Sequence, residues 1–145
     1  VSTPRSQHEQ LQRLKTEIER VSELRAMEHL FALGQPGSLQ HRRFRFELPT
    51  SAYDEGQLPQ PGMQLDVTDS LVIVVAHDLG PGDHDDSWRL ASEDVARMLI
   101  GLCASDLGQQ LQVNGGGSSP SVNGHLIEQR VRLQYRYYLA IPEAS

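Results

Sequence analysis

The sequence has one cysteine, Cys103, and one lysine, Lys15, among 145 residues. A lone cysteine excludes an internal disulfide and any cysteine-rich zinc site, and with them a secreted, disulfide-stapled design. The scarcity of lysine leaves arginine carrying almost all the positive charge, which suits bidentate contacts to carboxylates or phosphates better than a point charge would. Positive charge is also in deficit: 13 Lys+Arg against 19 Asp+Glu give a net −6, which argues against a protein that neutralises phosphates across a broad basic face. No apolar run approaches the roughly 20 residues needed to cross a bilayer, and the polar stretch Ser2 to Gln12 lacks the apolar core of a signal peptide. The expectation is a soluble protein, assembled in the cytoplasm, with no membrane partner. No lysine follows Asn114-Gly115-Gly116-Gly117-Ser118-Ser119, so this is not a P-loop, whose lysine must reach the outer phosphates. No nucleophile elbow surrounds Ser87 or Ser92, and Cys103 reads as a small hydrophobe beside an apolar stripe. No catalytic residue and no cofactor is assigned, and the chain is expected not to be an enzyme.

What is present is enough chain for one domain with its own core. Ser6 followed by Glu9 fits a capping box, and Leu11, Leu14, Ile18 and Val21 then recur at helical spacing. The stripe continues less regularly through Leu24, Met27, Leu30, Phe31 and Leu33 to a stop at Gly34, Pro36 and Gly37, with a break available near Ser22. Residues 1–34 therefore read as a long N-terminal helical segment, laid either on its own core or on a neighbouring subunit. Phe44, Phe46 and Leu48 alternate with Arg43, Arg45 and Glu47, a strand with one apolar face. Thr50 to Gly62, rich in proline and glycine, reads as an exposed excursion. Leu65 to Ala76 is a strand whose centre, Leu71 to Ala76, is apolar without alternation, so both its faces are expected to be covered.

A second helix follows, capped from Asp85, Asp86 or Ser87, with Trp88, Ala91, Val95, Met98, Leu99 and Leu102 as its buried stripe and Gly108 as its stop. Gln110 to Asn114 reads as a short strand and Gly115 to Gly124 as a flexible tip. Ile127, Val131, Leu133, Tyr135, Tyr137, Leu139 and Ile141 share one parity of a last strand, interrupted only by Gln129, while Glu128, Arg130, Arg132, Gln134 and Arg136 share the other. The order predicts a single α+β domain over 1–145: a mainly antiparallel sheet of about four strands with two main helices on it, a core over 40–145, and exposed loops at 49–64 and 114–125.

Two clusters stand out. His77, Asp78, Asp83, His84, Asp85 and Asp86 concentrate potential metal ligands, of which His77, Asp78 and His84 would be the metal set, but their spacing matches no zinc, EF-hand or metalloprotease pattern. Caps and turn chemistry explain the same residues. The second cluster is the arginines. Arg43 and Arg45 on one strand, preceded by Arg42, and Arg130, Arg132 and Arg136 on the last form a field on the polar sheet face if the strands share a sheet. Such a field is either a solvated sheet face or an electrostatic interface, with a neighbouring copy or along a nucleic-acid path; the charge segregation fits a head-to-tail contact between subunits, for which the acidic stretch containing Asp83, Asp85 and Asp86 is a natural other half.

The pattern from Leu65 to Ile141 carries a resemblance: Asp69-Ser70-Leu71-Val72-Ile73-Val74-Val75, the helix Trp88 to Leu107 with Met98-Leu99-Ile100-Gly101-Leu102, and Val131-Arg132-Leu133-Gln134-Tyr135-Arg136-Tyr137-Tyr138-Leu139. It resembles the tail-terminator proteins of tailed bacteriophages and related minor tail proteins. The resemblance implies a structural virion protein: a homo-oligomeric ring, usually hexameric, that caps the tail tube, ends its polymerisation and joins the tail to the head connector, with DNA passing through the channel without sequence-specific binding. Its implied partners are other copies of itself, the tail tube protein and the neck or connector protein. Other readings remain: a phage connector or baseplate adaptor, or a small metal- or ligand-binding α+β domain.

Overall fold

A computed structural model describes residues 4–27, 41–53, 60–79, 84–108, 110–123 and 125–143. Its elements run α1 (Gln7–Val21), β1 (Arg25–Ala26), β2 (Arg43–Phe46), β3 (Thr50–Tyr53), β4 (Gln64–Asp78), α2 (His84–Ala104), β5 (Leu111–Asn123) and β6 (Leu126–Ala140). The class is α+β, as expected, with two helices and a six-stranded, mostly antiparallel sheet in place of about four strands.

The sheet is organised around one long pair. β4 and β6 run antiparallel in unbroken register from Gln64↔Ala140 to Asp78↔Leu126. Because antiparallel partners point to the same face, odd-numbered residues of both strands line one side and even-numbered residues the other. The odd side carries Val67, Leu71, Ile73, Val75, Val131, Leu133, Tyr135 and Tyr137, all buried. α1 lays Leu11, Leu14 and Ile18 on this core, and α2 lays Ala91, Val95, Met98 and Leu102 there. Each Leu, Ile, Val or Met among them contributes about 1.5–3 kcal/mol relative to exposure, and Ala91 less, so the helix layer is held mainly by this one face. The two helices approach closely where Gly101 meets Val21: a Cβ on Gly101 would lie 2.5 Å from the Val21 Cβ.

The N-terminal helix is shorter than its apolar stripe suggests. Ser6 caps α1, its Oγ accepting from the Glu9 N–H at 3.2 Å, while the Glu9 carboxylate turns to Arg13 on the next turn. At the other end Ser22 has extended backbone and donates its Oγ–H to the Ile18 carbonyl. The Arg25 guanidinium donates to the carbonyls of Glu19, Ser22 and Leu24, taking up acceptors the helix end leaves open. Leu24 and Met27 are buried, but from extended chain, with Arg25–Ala26 pairing parallel to β2. The expected continuation through Leu30, Phe31 and Leu33 to Gly34 lies outside the described residues.

Two further corrections share one cause, an odd number of added residues, one between β2 and β3 and three in β5, that breaks the alternation. β2 and β3 both pair with the same edge of β4, but from Phe46 to Thr50 the chain takes four steps while β4 takes three, from Ile73 to Ser70. The slack falls at Glu47 to Pro49, and Leu48, expected beside Phe44 and Phe46, is 79% exposed. The expected excursion from Thr50 therefore opens with a strand, β3, mostly exposed, and residues 54–59 lie outside the description. In β5 the pairing passes from Gln112↔Gln134 to Gly117↔Arg132, so a wide bulge occupies the middle of the strand. The glycine-rich segment expected as a tip is thus strand as far as Asn123.

Candidate functional site

On the even-numbered face of the sheet, β2 contributes Arg43 and Arg45, β4 contributes Asp66, Thr68, Ser70, Val72, Val74, Ala76 and Asp78, and β6 contributes Glu128, Arg130, Arg132, Gln134, Arg136 and Tyr138. The arginine field therefore exists, and its parts differ. Arg45 is buried and donates to buried Glu128 at 3.2 Å, a desolvated ion pair beside Val74 rather than an open contact surface. Arg130 pairs with Glu47 at 3.1 Å. Arg43 reaches the Ala26 carbonyl, while Arg132 and Arg136 are exposed. The face is buried around Val74 and Ala76 and open over its other half, from Gln64 to Val72 on β4 and Arg132 to Tyr138 on β6. Glu47, Leu48, Thr50, Ser70, Val72, Arg132 and Gln134 line a groove of about 350 Å³ there.

Arg42 leaves the field altogether. It occupies a left-handed backbone conformation (φ 56°) just before β2, a geometry costing an ordinary residue about 1–2 kcal/mol. Its side chain turns to the helix layer and grips Asp94 of α2 with two 2.9 Å bonds, Nε to Oδ2 and Nη2 to Oδ1. Asp94 is fully buried and also accepts from His77 Nε2 at 2.8 Å, with Arg97 at 3.8 Å from Oδ1. His41 stands edge-on to His77, ring centres 5.9 Å apart, and its Nδ1 accepts from the Asp78 N–H. Burial holds His77 below the ordinary histidine pKa despite the carboxylate beside it. Burial also works to raise Asp94, but the bonds from Arg42 and His77 outweigh it and keep Asp94 below the usual range. Its bond to Asp94 in turn raises Arg42. The His77 proton therefore sits on Nε2, and buried Nδ1 has no hydrogen-bond partner among the described residues.

This arrangement disperses the expected metal set. His77 faces the core, Asp78 faces the opposite side of the sheet, and His84 is exposed at the start of α2. Among the described residues no group of three metal-binding side chains converges. Asp83 lies outside the description. Asp85 and Asp86 fall within the first turn of α2 rather than capping it, suiting the positive end of the helix dipole, and Asp86 pairs with Arg89. Two expectations for α2 also change: Trp88 is 42% exposed and Cys103 is exposed. Trp88 forms a groove of about 610 Å³ with Leu79, His84, Asp85, Pro120, Ser121, Val122 and Ile127, on the helix side of the sheet.

A further buried carboxylate, missed in the sequence, joins Glu128 and Asp94. Asp69, on the odd face of β4, accepts from the Ser51 hydroxyl, which itself accepts from Gln7 Nε2. Burial and the neighbouring Asp69 charge push the phenols of Tyr135 and Tyr137 well above their ordinary pKa, so both stay protonated. The parity of β4 holds the missed signal for Asp69 and His77, since both interrupt a run of core-facing positions. Asp94 likewise stands one turn from both Ala91 and Met98 on the apolar stripe of α2.

These features define a helix-clad, mostly antiparallel sheet with one open, arginine-bearing face and buried polar anchors. Neither any protein-family model nor any curated protein matches the chain.

Proposed function

We propose that this chain is a structural subunit of a tailed-phage particle, a tail terminator that forms a ring on the finished tail tube. The observation that carries the reading is the two-sidedness of the sheet: helices bury the odd face, while the even face is open from Gln64 to Val72 and from Arg132 to Tyr138. Large exposed apolar side chains accompany it, Leu48 and Tyr138 on the open face and Trp88 and Val122 on the helix side. Arg132 and Arg136 with Tyr138 on one side and Trp88 on the other suit a small subunit contacted from two directions. The buried pairs Arg45–Glu128 and Arg42–Asp94 belong to the fold and not to the contact, which narrows the interface to Arg132, Arg136 and their neighbours. The mechanism is geometric: one side of the ring covers the last tube layer so that no further tube subunit adds, and the other meets the neck. DNA passes through the channel without being read.

The test is the length distribution of tails, measured by negative-stain microscopy, in particles made without this protein. Tails of uncontrolled length, restored to uniform length when the protein is supplied, are expected. Uniform tails in its absence would overturn the reading.

A further inference from the structure

We propose that the first turns of α2 in one copy dock, through Asp85 and Trp88, into the Arg132 groove on the open sheet face of a second copy. The two surfaces lie on opposite sides of the sheet. Trp88 shares its groove with Val122 and Ile127, whose side chains point to the helix layer, whereas Arg132 belongs to the even face. No copy can therefore close the contact on itself, and joining the surfaces produces a head-to-tail series.

Charge and chemistry match across the contact. Among the described residues neither Asp85 nor Arg132 has an ion-pair partner, although both are exposed. Among the described residues the even face sets five arginines (Arg43, Arg45, Arg130, Arg132 and Arg136) against four acids (Glu47, Asp66, Asp78 and Glu128), in a chain whose net charge is −6. The first turn of α2 carries Asp85 and Asp86 and no arginine or lysine. A carboxylate entering the Arg132 groove also meets hydrogen-bonding side chains of Thr50, Ser70 and Gln134. Beside that polar centre stands Leu48, 79% exposed and available to the indole of Trp88. An aromatic anchor next to a charged pair, rimmed by polar groups, is the anatomy of an energetic centre in a protein interface. The second copy is thus the occupant that both grooves specify together.

The contact rests on the ring reading for its closure, and its pairing is tested separately by sedimentation velocity of the purified full chain over a range of concentration and salt. Wild-type protein self-associates, less tightly at high salt. Asp85→Arg and Arg132→Asp each weaken association, and Trp88→Ala weakens it by about tenfold or more. The double charge swap, Asp85→Arg with Arg132→Asp, regains most of the loss. Circular dichroism confirms that each exposed-site variant stays folded. Association undiminished in the single variants, or a swap that rescues nothing, would overturn the contact. A wild-type chain that stays monomeric yet still sets tail length would overturn it too and leave the terminator reading standing. The converse outcome separates the two: rescue by the swap, with tail length indifferent to the protein, supports the contact and removes the terminator role.

Discussion

Replacing Asp94 by alanine tests whether the buried Arg42–Asp94–His77 cluster ties α2 to the sheet. The carboxylate accepts two bonds from Arg42 and one from His77, and it is fully buried. Truncation leaves the buried His77 Nε2–H without its acceptor, a cost of about 1–3 kcal/mol. The Arg42 side chain is 32% exposed, so water takes back part of its hydrogen bonding and that loss is discounted to about 1 kcal/mol. The sum, about 3 kcal/mol, corresponds to a fall in Tm of about 6–12 °C for a domain of this size. Urea unfolding followed by circular dichroism measures it, and a double-mutant cycle with Arg42→Ala isolates a coupling of about 1 kcal/mol. Asp94→Ala within about 0.5 kcal/mol of wild type would refute the cluster as a structural tie.

Acid should weaken the same cluster in a defined order. Folded His77 titrates below its ordinary 6.5, so its contribution is complete above that pH and is lost as pH falls, when the unfolded chain takes the proton first. Asp94, also depressed, adds a further loss below its ordinary 3.8. His77 is faced by His41, Arg42, Asp94 and Arg97; His77→Gln, which keeps an amide donor, should flatten the loss of stability between about pH 7 and pH 5 in urea titrations. An unchanged slope would assign that loss to other groups. At the helix contact, Gly101→Ala should destabilise by about 1–2 kcal/mol, because the new methyl meets Val21 and the better helix propensity offsets only part of the overlap. Adding Val21→Ala should return most of that stability, and failure to do so would place the strain elsewhere.

The long, strongly patterned elements were legible in the sequence. β4, β6 and the stripe of α2 declared themselves because one face of each is buried over many residues, and the unalternating centre of β4 is covered on both faces from Ile73 to Ala76, while Val72 lines the open groove. Short elements that borrow their order from neighbours were not legible: β1 has two residues, and β3 has no apolar alternation. The arginine field is legible in the strand parities, but its internal pairing is not. Arg45 finds Glu128 83 positions away and Arg42 finds Asp94 52 positions away, and the same register that gathers the charges also pairs them off. The helical spacing puts Trp88 on the buried stripe, yet it lies at the start of α2, where it opens onto a groove.

The bulge in β5 works as a phase shifter. Ahead of it Leu111 pairs with Tyr135, and beyond it Val122 pairs with Ile127, so an odd and an even residue of one strand face the same helix layer. An uninterrupted strand would turn one of the two to the arginine side, because alternation changes face at every step. Residues 113–116 therefore count by number more than by kind: a change of two keeps the phase, whereas a change of one rotates Val122 away from Trp88. The glycine-rich tract then governs, from the middle of an edge strand, which side of the molecule its far end presents to a neighbour.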